Sequence, residues 1–313
     1  MKKKLTVFTL TGIAGLFIFA AGCGKSKVVK HTVTLSGAWA VYPTAVAWAE
    51  AFHSKFPDIR VDVSAGGAGK GAADAIAGLV DIGMVSREPD KAEIEKGILP
   101  VYVLHDAVYP VISDKNPVLL QLKKKGIKRQ AWIDIFVTEK MKKWDELSGK
   151  KVDRQLHVFT RSDSCGAAAS WAAYLGKKQE DLKGVGVYGD PGILNAAIKD
   201  PLGIGYSNFS YVFTREGNVV AGAFIVPIDS NENSVADPDE VFNSRGEAIN
   251  AINAGRYPAT RKNYFFVKGK PQGHVREFIE FCLSAEGTAI VEKVGTSLPL
   301  KQEEREKVLT SMK

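Results

Sequence analysis

Beyond about residue 30, apolar and polar positions alternate in short β-branched runs, each followed by a turn of small residues and then a helical stretch. Residues 32–35 (Thr-Val-Thr-Leu) read as a strand, and a helix is expected over 43–56, with Pro43 in its first turn and Pro57 stopping it. Residues 59–63 alternate as a second strand, 72–79 follow a helical pattern, and 81–85 form a third apolar run. This β-turn-α-β-turn-α-β order predicts an open, doubly wound α/β sheet, whose ligands sit at the carboxyl ends of its strands. Strands are expected again at 101–104 and 108–113, either side of His105-Asp106, and near 157–159, 203–206, 223–228 and 263–267. Helical patterns recur over 131–136 and 168–175, from about 190 to 199, and over 246–253 and 271–294.

The polar octet 160–167, Thr-Arg-Ser-Asp-Ser-Cys-Gly-Ala, lies between the strand ending at Phe159 and an alanine-rich helix. A turn that opens a helix presents unpaired backbone N–H groups and the positive end of the helix dipole, which favour an anion. Arg161 adds a forked cationic donor suited to a carboxylate or tetrahedral oxyanion, and Ser162 and Ser164 add hydroxyls. Taken alone, the octet reads equally well as an N-capped helix with a surface arginine. Matching turns decide the matter: Ser36, Gly37, Ala38 and Trp39 follow the first strand, Gly66-Gly67-Ala68-Gly69-Lys70-Gly71 follows the second, and Ser86-Arg87 ends the third. Glycines at a helix entrance let a small anion approach the backbone, although they also serve tight strand–helix packing. Neither glycine-rich nucleotide motif fits. A phosphate-binding loop of the Gly-x4-Gly-Lys-Ser/Thr type would need a glycine where Ser64 stands and a hydroxyl where Gly71 stands, and no acidic residue follows at the dinucleotide-binding distance.

Composition bounds the class. The 313 residues are 45% hydrophobic and 25% charged, enough for more than one core, so two lobes are expected. The net charge of +7 is partly due to the chain start, and the basic cluster Lys123-Lys124-Lys125 with Lys128 and Arg129 carries no interleaved aromatics. Nucleic acid is therefore not an expected partner. Lys2-Lys3-Lys4, the apolar run 5–21 and Gly22-Cys23 have the layout of an export signal over 1–22. Residues 23–30 then form a tether. Beyond Cys23 only Cys165 and Cys282 remain, too few for a disulfide framework. The five histidines are scattered and share no metal-ligand motif, which argues against a metal-dependent hydrolase. Cys165 beside Arg161 has the wrong order for a cysteine phosphatase loop.

The ordered set of Ser36-Gly37, Gly66-Gly67-Ala68-Gly69, Asp81-Ile82-Gly83 with Ser86-Arg87, residues 161–167 and Ile204-Gly205-Tyr206 resembles the phosphate-binding lipoproteins of ABC importers. These belong to the type II periplasmic-binding-protein superfamily, and the similarity runs through nearly the whole mature chain. The resemblance implies a two-lobed fold, each lobe a doubly wound mixed sheet with helices on both faces. Lobe I would be 31–110 with 220–313, and lobe II 111–219. It implies a non-enzymatic, monomeric receptor that closes on a dehydrated oxyanion and delivers it to permease subunits. It also makes Cys23 the lipidated first residue of a cell-envelope lipoprotein, with Ala20 where a leucine is usual.

Carried onto this chain, the anion-binding set is Ser36, Gly37, Ala38, Trp39, Ala68, Gly69, Lys70, Ser86, Arg87, Arg161, Asp163, Ser164, Cys165, Gly166 and Ala167. Arg161 stands at the family's arginine. Several hydroxyl donors are missing, since Cys165-Gly166-Ala167 replaces Ser-Gly-Thr and Ala38-Trp39-Ala40 replaces a Ser/Thr-rich turn. That loss keeps tungstate, molybdate and organic phosphates open as ligands beside phosphate. Arg87 stands near an aspartate that accepts the hydrogen phosphate proton in some members, and Asp163 is the substitute nominated here. Trp39 would cover the anion, widen the pocket or simply pack. No catalytic cofactor is expected. A structural Ca2+ is expected in residues 229–240, where Asp229, Asn231, Asn233, Val235, Asp237 and Glu240 have the spacing of a calcium loop, with Ser234 in place of its glycine.

Overall fold

A computed structural model describes residues 29–313; the export signal and Cys23 lie outside the described residues. The chain opens β1 (His31–Gly37), α1 (Tyr42–Lys55), β2 (Ile59–Ala65), α2 (Ala68–Ala77) and β3 (Ile82–Val85) in the order expected, and then adds the short α3 (Lys91–Glu95). The two apolar runs around His105-Asp106 are one continuous strand, β4 (Ile98–Ser113). There follow α4 (Leu119–Leu122), β5 (Ile127–Lys128), α5 (Arg129–Phe136), α6 (Trp144–Ser148), β6 (His157–Arg161) and α7 (Gly166–Tyr174). Next come β7 (Val185–Val187), α8 (Asp190–Lys199), β8 (Gly203–Asn208), α9 (Phe209–Val212), β9 (Ala223–Ile225) and β10 (Ile228–Asp229). The chain closes with α10 (Arg245–Asn253), β11 (Thr260–Lys268), α11 (Gly273–Cys282), α12 (Ala285–Val294), β12 (Leu298–Pro299) and α13 (Gln302–Ser311). Ser284 separates α11 from α12 by capping the latter, its hydroxyl accepting the Gly287 N–H at 3.1 Å.

The strand order is β2-β1-β3-β11-β4-β8-β6-β7, with β9 and β12 also on β4. β1 is parallel to β2 and β3, β6 is parallel to β7 and β8, and β11 runs antiparallel between β3 and β4. β4 joins the two halves. Residues 98–107 pair with β11, and 108–112 pair with β8. Two apolar cores flank that change of partner. One gathers Trp48, Phe52, Met84, Phe265, Phe266 and Phe278, and the other gathers Tyr109, Trp132, Trp144, Trp171, Tyr206 and Phe209. Ile225, Ile228, Phe242, Ala248, Tyr257 and Ala259 are buried in the second core, although the sequence reading returned the chain to lobe I at 220. Packing decides this: β9 pairs with the far end of β4, residues 111–113, so the segment after it stays on that side.

At the junction Arg261 is buried against Asp106, with Nε donating to Oδ2 at 2.9 Å and Nη2 donating to the same carboxylate and to Asn208 Oδ1. A guanidinium matched to a carboxylate in this way keeps two adjacent strands in register without leaving a buried charge alone.

Candidate functional site

The turns after β1, β2, β3 and β6 meet one another where the two cores face. Gly37 has φ 129, open to glycine and strained for other residues, and it brings the start of α2 against the ends of β1 and β3. The Gly66 and Gly67 N–H groups both donate to its carbonyl, at 2.8 and 3.1 Å. From the opposite side the Ser164 carbonyl accepts the Gly69 N–H at 3.0 Å, and a Cβ on Gly67 would lie 2.8 Å from Asp163 Oδ2. A Cβ on Gly166 would overlap the Ser86 hydroxyl and carbonyl. The Ala38 N–H donates to the Met84 carbonyl at 2.8 Å, and the Trp39 carbonyl accepts the Tyr211 hydroxyl at 3.1 Å.

Arg161 is the centre of this seam. Its side chain is wholly buried, with Nε donating to Asp163 Oδ1 at 2.8 Å and Nη2 to Asp163 Oδ2 at 2.6 Å. Nη1 lies 2.7 Å from Asp190 Oδ1, but the angle is not that of a hydrogen bond, so both atoms keep an unused site. Burial pushes the Asp190 carboxyl up from its ordinary range, and the Arg161 charge only partly offsets this. Burial works against the Arg161 charge, yet Asp190 and the other groups around it raise its pKa overall. Asp190 was not singled out from the sequence. The signal available was its place as first residue of α8 behind Gly189 (φ 75), where a carboxylate suits the helix dipole.

Asp163 was nominated to accept a ligand proton. It is instead the bidentate partner of Arg161, with Oδ1 also accepting the Gly189 N–H at 3.3 Å. Gln179, also unforeseen, braces the loop, since its Nε2 donates to the Asp163 carbonyl at 2.8 Å and its Oε1 accepts the Cys165 N–H at 3.1 Å. Cys165 caps α7, its sulfur accepting the Ala168 N–H at 3.4 Å. The Gly166 and Ala167 N–H groups open that helix with no acceptor among the described residues. Burial lifts the Cys165 thiol to about 12 despite Arg161, so at neutral pH it is a protonated sulfur and no nucleophile.

Three of the other candidate donors are engaged elsewhere. The Ser36 hydroxyl donates to Asp74 Oδ2 at 2.6 Å, and Lys70 pairs with the same carboxylate one helical turn away. The Arg87 guanidinium is held by Glu93 at 2.6 and 2.9 Å, at the edge of a cavity that Ser164 and Ser170 of the other half also line. A guanidinium takes the nearest forked carboxylate, and Glu93 at the start of α3 supplies it. Ser86 is buried against Gly166, while the Ser164 hydroxyl faces Gly69.

The 229–240 loop forms a tight turn knit by its own groups. Asp229 accepts the Asn233 and Ser234 N–H groups at 3.1 and 2.7 Å, and Glu240 accepts those of Ser230 and Asp237 at 2.6 and 3.4 Å. Asp237 Oδ2 accepts the side-chain amides of Asn231 and Asn233, and Val235 is exposed. Ser234 adopts φ 65, the left-handed conformation for which glycine is usual at that place. Among the described residues, no group of three or more His, Cys, Asp or Glu side chains is placed to hold a metal ion. Also among them, no helix is long and apolar enough to cross a membrane.

Two α/β halves joined through β4 and β11, with helix-opening turns from both meeting at a buried arginine, define a two-lobed binding protein of the type II periplasmic kind. The model of the PBP superfamily domain matches residues 25–286, and the chain belongs to that superfamily. The phosphate-binding protein PstS of Bacillus subtilis is 27% identical over 298 residues, spanning 91% of this chain and 90% of that protein. A crystal structure from Clostridium perfringens, described as a phosphate ABC transporter substrate-binding protein with bound phosphate, is 27% identical. It superposes with a TM-score of 0.71 over 86% of this chain and 100% of its own. A phosphate transport receptor from Vibrio cholerae shares the fold, at 18% identity and a TM-score of 0.64.

Proposed function

We propose that this protein is an extracytoplasmic, non-enzymatic receptor that captures phosphate between its lobes and delivers it to an ABC importer. The observation that carries the reading is the meeting of the α2 and α7 openings, one from each lobe, at the fully buried Arg161. The similarity to phosphate-binding relatives over about nine-tenths of the chain supports phosphate within the oxyanion class. Binding energy would come from charge-assisted hydrogen bonds in a water-poor seam, using the Gly166 and Ala167 amides and Arg161 Nη1. Asp163 balances the arginine charge, and the burial that raises the Asp190 carboxyl's pKa disfavours a second full negative charge beside the arginine. The lobes are assigned as 31–106 with 260–313, and 107–259, following the two cores.

Calorimetric titration with phosphate, sulfate, molybdate and tungstate tests the reading. Phosphate is expected to bind saturably and to raise the melting temperature with saturation. Arg161→Gln is expected to weaken it by about a hundredfold, the equivalent of two hydrogen bonds of roughly 1.5 kcal/mol to a charged group. A response to tungstate or molybdate alone would move the assignment to those anions, as the missing hydroxyls at Cys165 and Ala167 allow. No response to any oxyanion would end it. Two finer points belong to the same proposal. The Lys2-Lys3-Lys4 start and Gly22-Cys23 support a lipid anchor at Cys23. The buried Asp229 and Glu240 and the left-handed Ser234 support a structural calcium in the 229–240 loop, checked by a fall in melting temperature with EDTA that Glu240→Gln removes.

A further inference from the structure

Four of the five tryptophans, Trp48, Trp132, Trp144 and Trp171, are fully buried in one core or the other. Trp39 alone is half-buried, and it stands in the seam. Its ring meets Tyr42 of its own lobe at 6.5 Å and Tyr188 of the other at 6.3 Å, both edge to face. Its Cε2–Cζ2 edge packs on Gly189, where a Cβ would lie 3.6 Å from either carbon. Cε2 is bonded to Nε1, so the indole N–H sits on the edge turned toward Gly189. That N–H is buried and has no acceptor among the described residues, whereas Arg161 Nη1 and Asp190 Oδ1, 2.7 Å apart, face each other as an ion pair outside hydrogen-bond geometry. Buried indole N–H groups ordinarily find a partner, because an unmade bond there costs the full desolvation of the donor. An unpartnered indole donor beside Gly189, in the seam that also holds the Arg161–Asp190 pair, calls for a polar occupant.

We propose that Trp39 is the specificity-determining residue of the anion site, in two ways. Its indole N–H donates to the bound oxyanion from the lobe I side and replaces a hydroxyl that the Cys165-Gly166-Ala167 turn lacks. Its ring, wedged between Tyr42 and the Tyr188-Gly189 backbone, fills the space through which an ester substituent would leave the seam, so inorganic oxyanion is taken and phosphate monoesters are refused. The inference rests on the receptor reading above.

Wild-type protein, Trp39→Phe and Trp39→Ala are titrated calorimetrically with inorganic phosphate and with glycerol 3-phosphate. Trp39→Phe keeps the ring and deletes the N–H. It is expected to bind phosphate at least about tenfold more weakly, to melt unchanged without ligand, and still to refuse the ester. Trp39→Ala is expected to shift the ester-to-phosphate affinity ratio at least about tenfold toward the ester. Phosphate is also expected to move the tryptophan emission of the wild type and not that of Trp39→Phe, since the other four indoles lie within the cores. Phosphate affinity in Trp39→Phe equal to the wild type, or an unchanged ratio in Trp39→Ala, would overturn the proposal and leave the receptor reading standing. A wild type that binds neither compound would overturn both.

Discussion

Asp190 and Arg161 show what a buried charge pair does when one of its members is shared. Asp163 satisfies two nitrogens of the guanidinium and leaves the third facing a carboxylate that burial has pushed toward its neutral form. A carboxyl whose folded pKa is raised holds its proton more tightly folded than unfolded. Its ionisation therefore costs stability above the folded value and nothing below the ordinary 3.8. Asp190→Asn, which copies the neutral form, is expected to melt higher than wild type at pH 7.5, by roughly 2–4 °C for each kcal/mol relieved. The gain should shrink as pH falls toward 4, and differential scanning calorimetry at the two pH values checks it. A gain that persists unchanged at low pH would mean that the carboxyl does not titrate in this window. From the sequence, Arg161 stood out only because matching turns follow the first three strands and the resemblance puts the family's arginine at that place. Arg87 and Lys70, offered as further donors, are engaged by Glu93 and Asp74; the Lys70–Asp74 pair follows from its i,i+4 spacing on α2, whereas the Arg87–Glu93 pair depends on the turn between them.

Among the elements, the strands and helices that built the expectation of an α/β sheet are present within a few residues of their predicted places. The exceptions share one cause, tertiary pairing. His105-Asp106 read as a break because it is polar, yet pairing with Arg261 carries β4 straight through it. Helix α2 begins at Ala68, four residues before the periodicity starts, because the glycines there are set by contacts with Ser164 and Asp163 and not by an apolar face. The opening of α7 makes the same point in energetic terms. Gly166 is a helical residue with nothing about its own backbone that requires glycine, so alanine there would favour the isolated helix. Against Ser86 of the other lobe it has no room for a Cβ. Gly166→Ala is therefore expected to leave the ligand-free stability within about 1 kcal/mol of wild type while weakening phosphate at least about tenfold. Small-angle scattering with saturating phosphate should show the variant remaining more extended than the wild type. A normal affinity and a normal radius would mean that the lobes do not close on this contact.

At the scale of the whole molecule, length and composition led to the expectation of two lobes, and the burial of Ile225 to Ala259 in the second core supports a second crossing near 260, where the sequence reading put it at 220. Nothing between 220 and 259 marks it locally, since β9, β10 and α10 would suit either lobe until the core they enter is known. The same topology has a consequence for how the chain is put together. Everything the second core needs, Leu298 apart, is present once residue 259 exists, whereas the first core is interrupted at Leu104 and resumes only with Tyr264, ending at Met312. The lobe that begins first is thus finished last. Its sheet must wait with an open place between β3 and β4 until β11 slides in, so the last sixth of the polypeptide acts as the keystone of its first third.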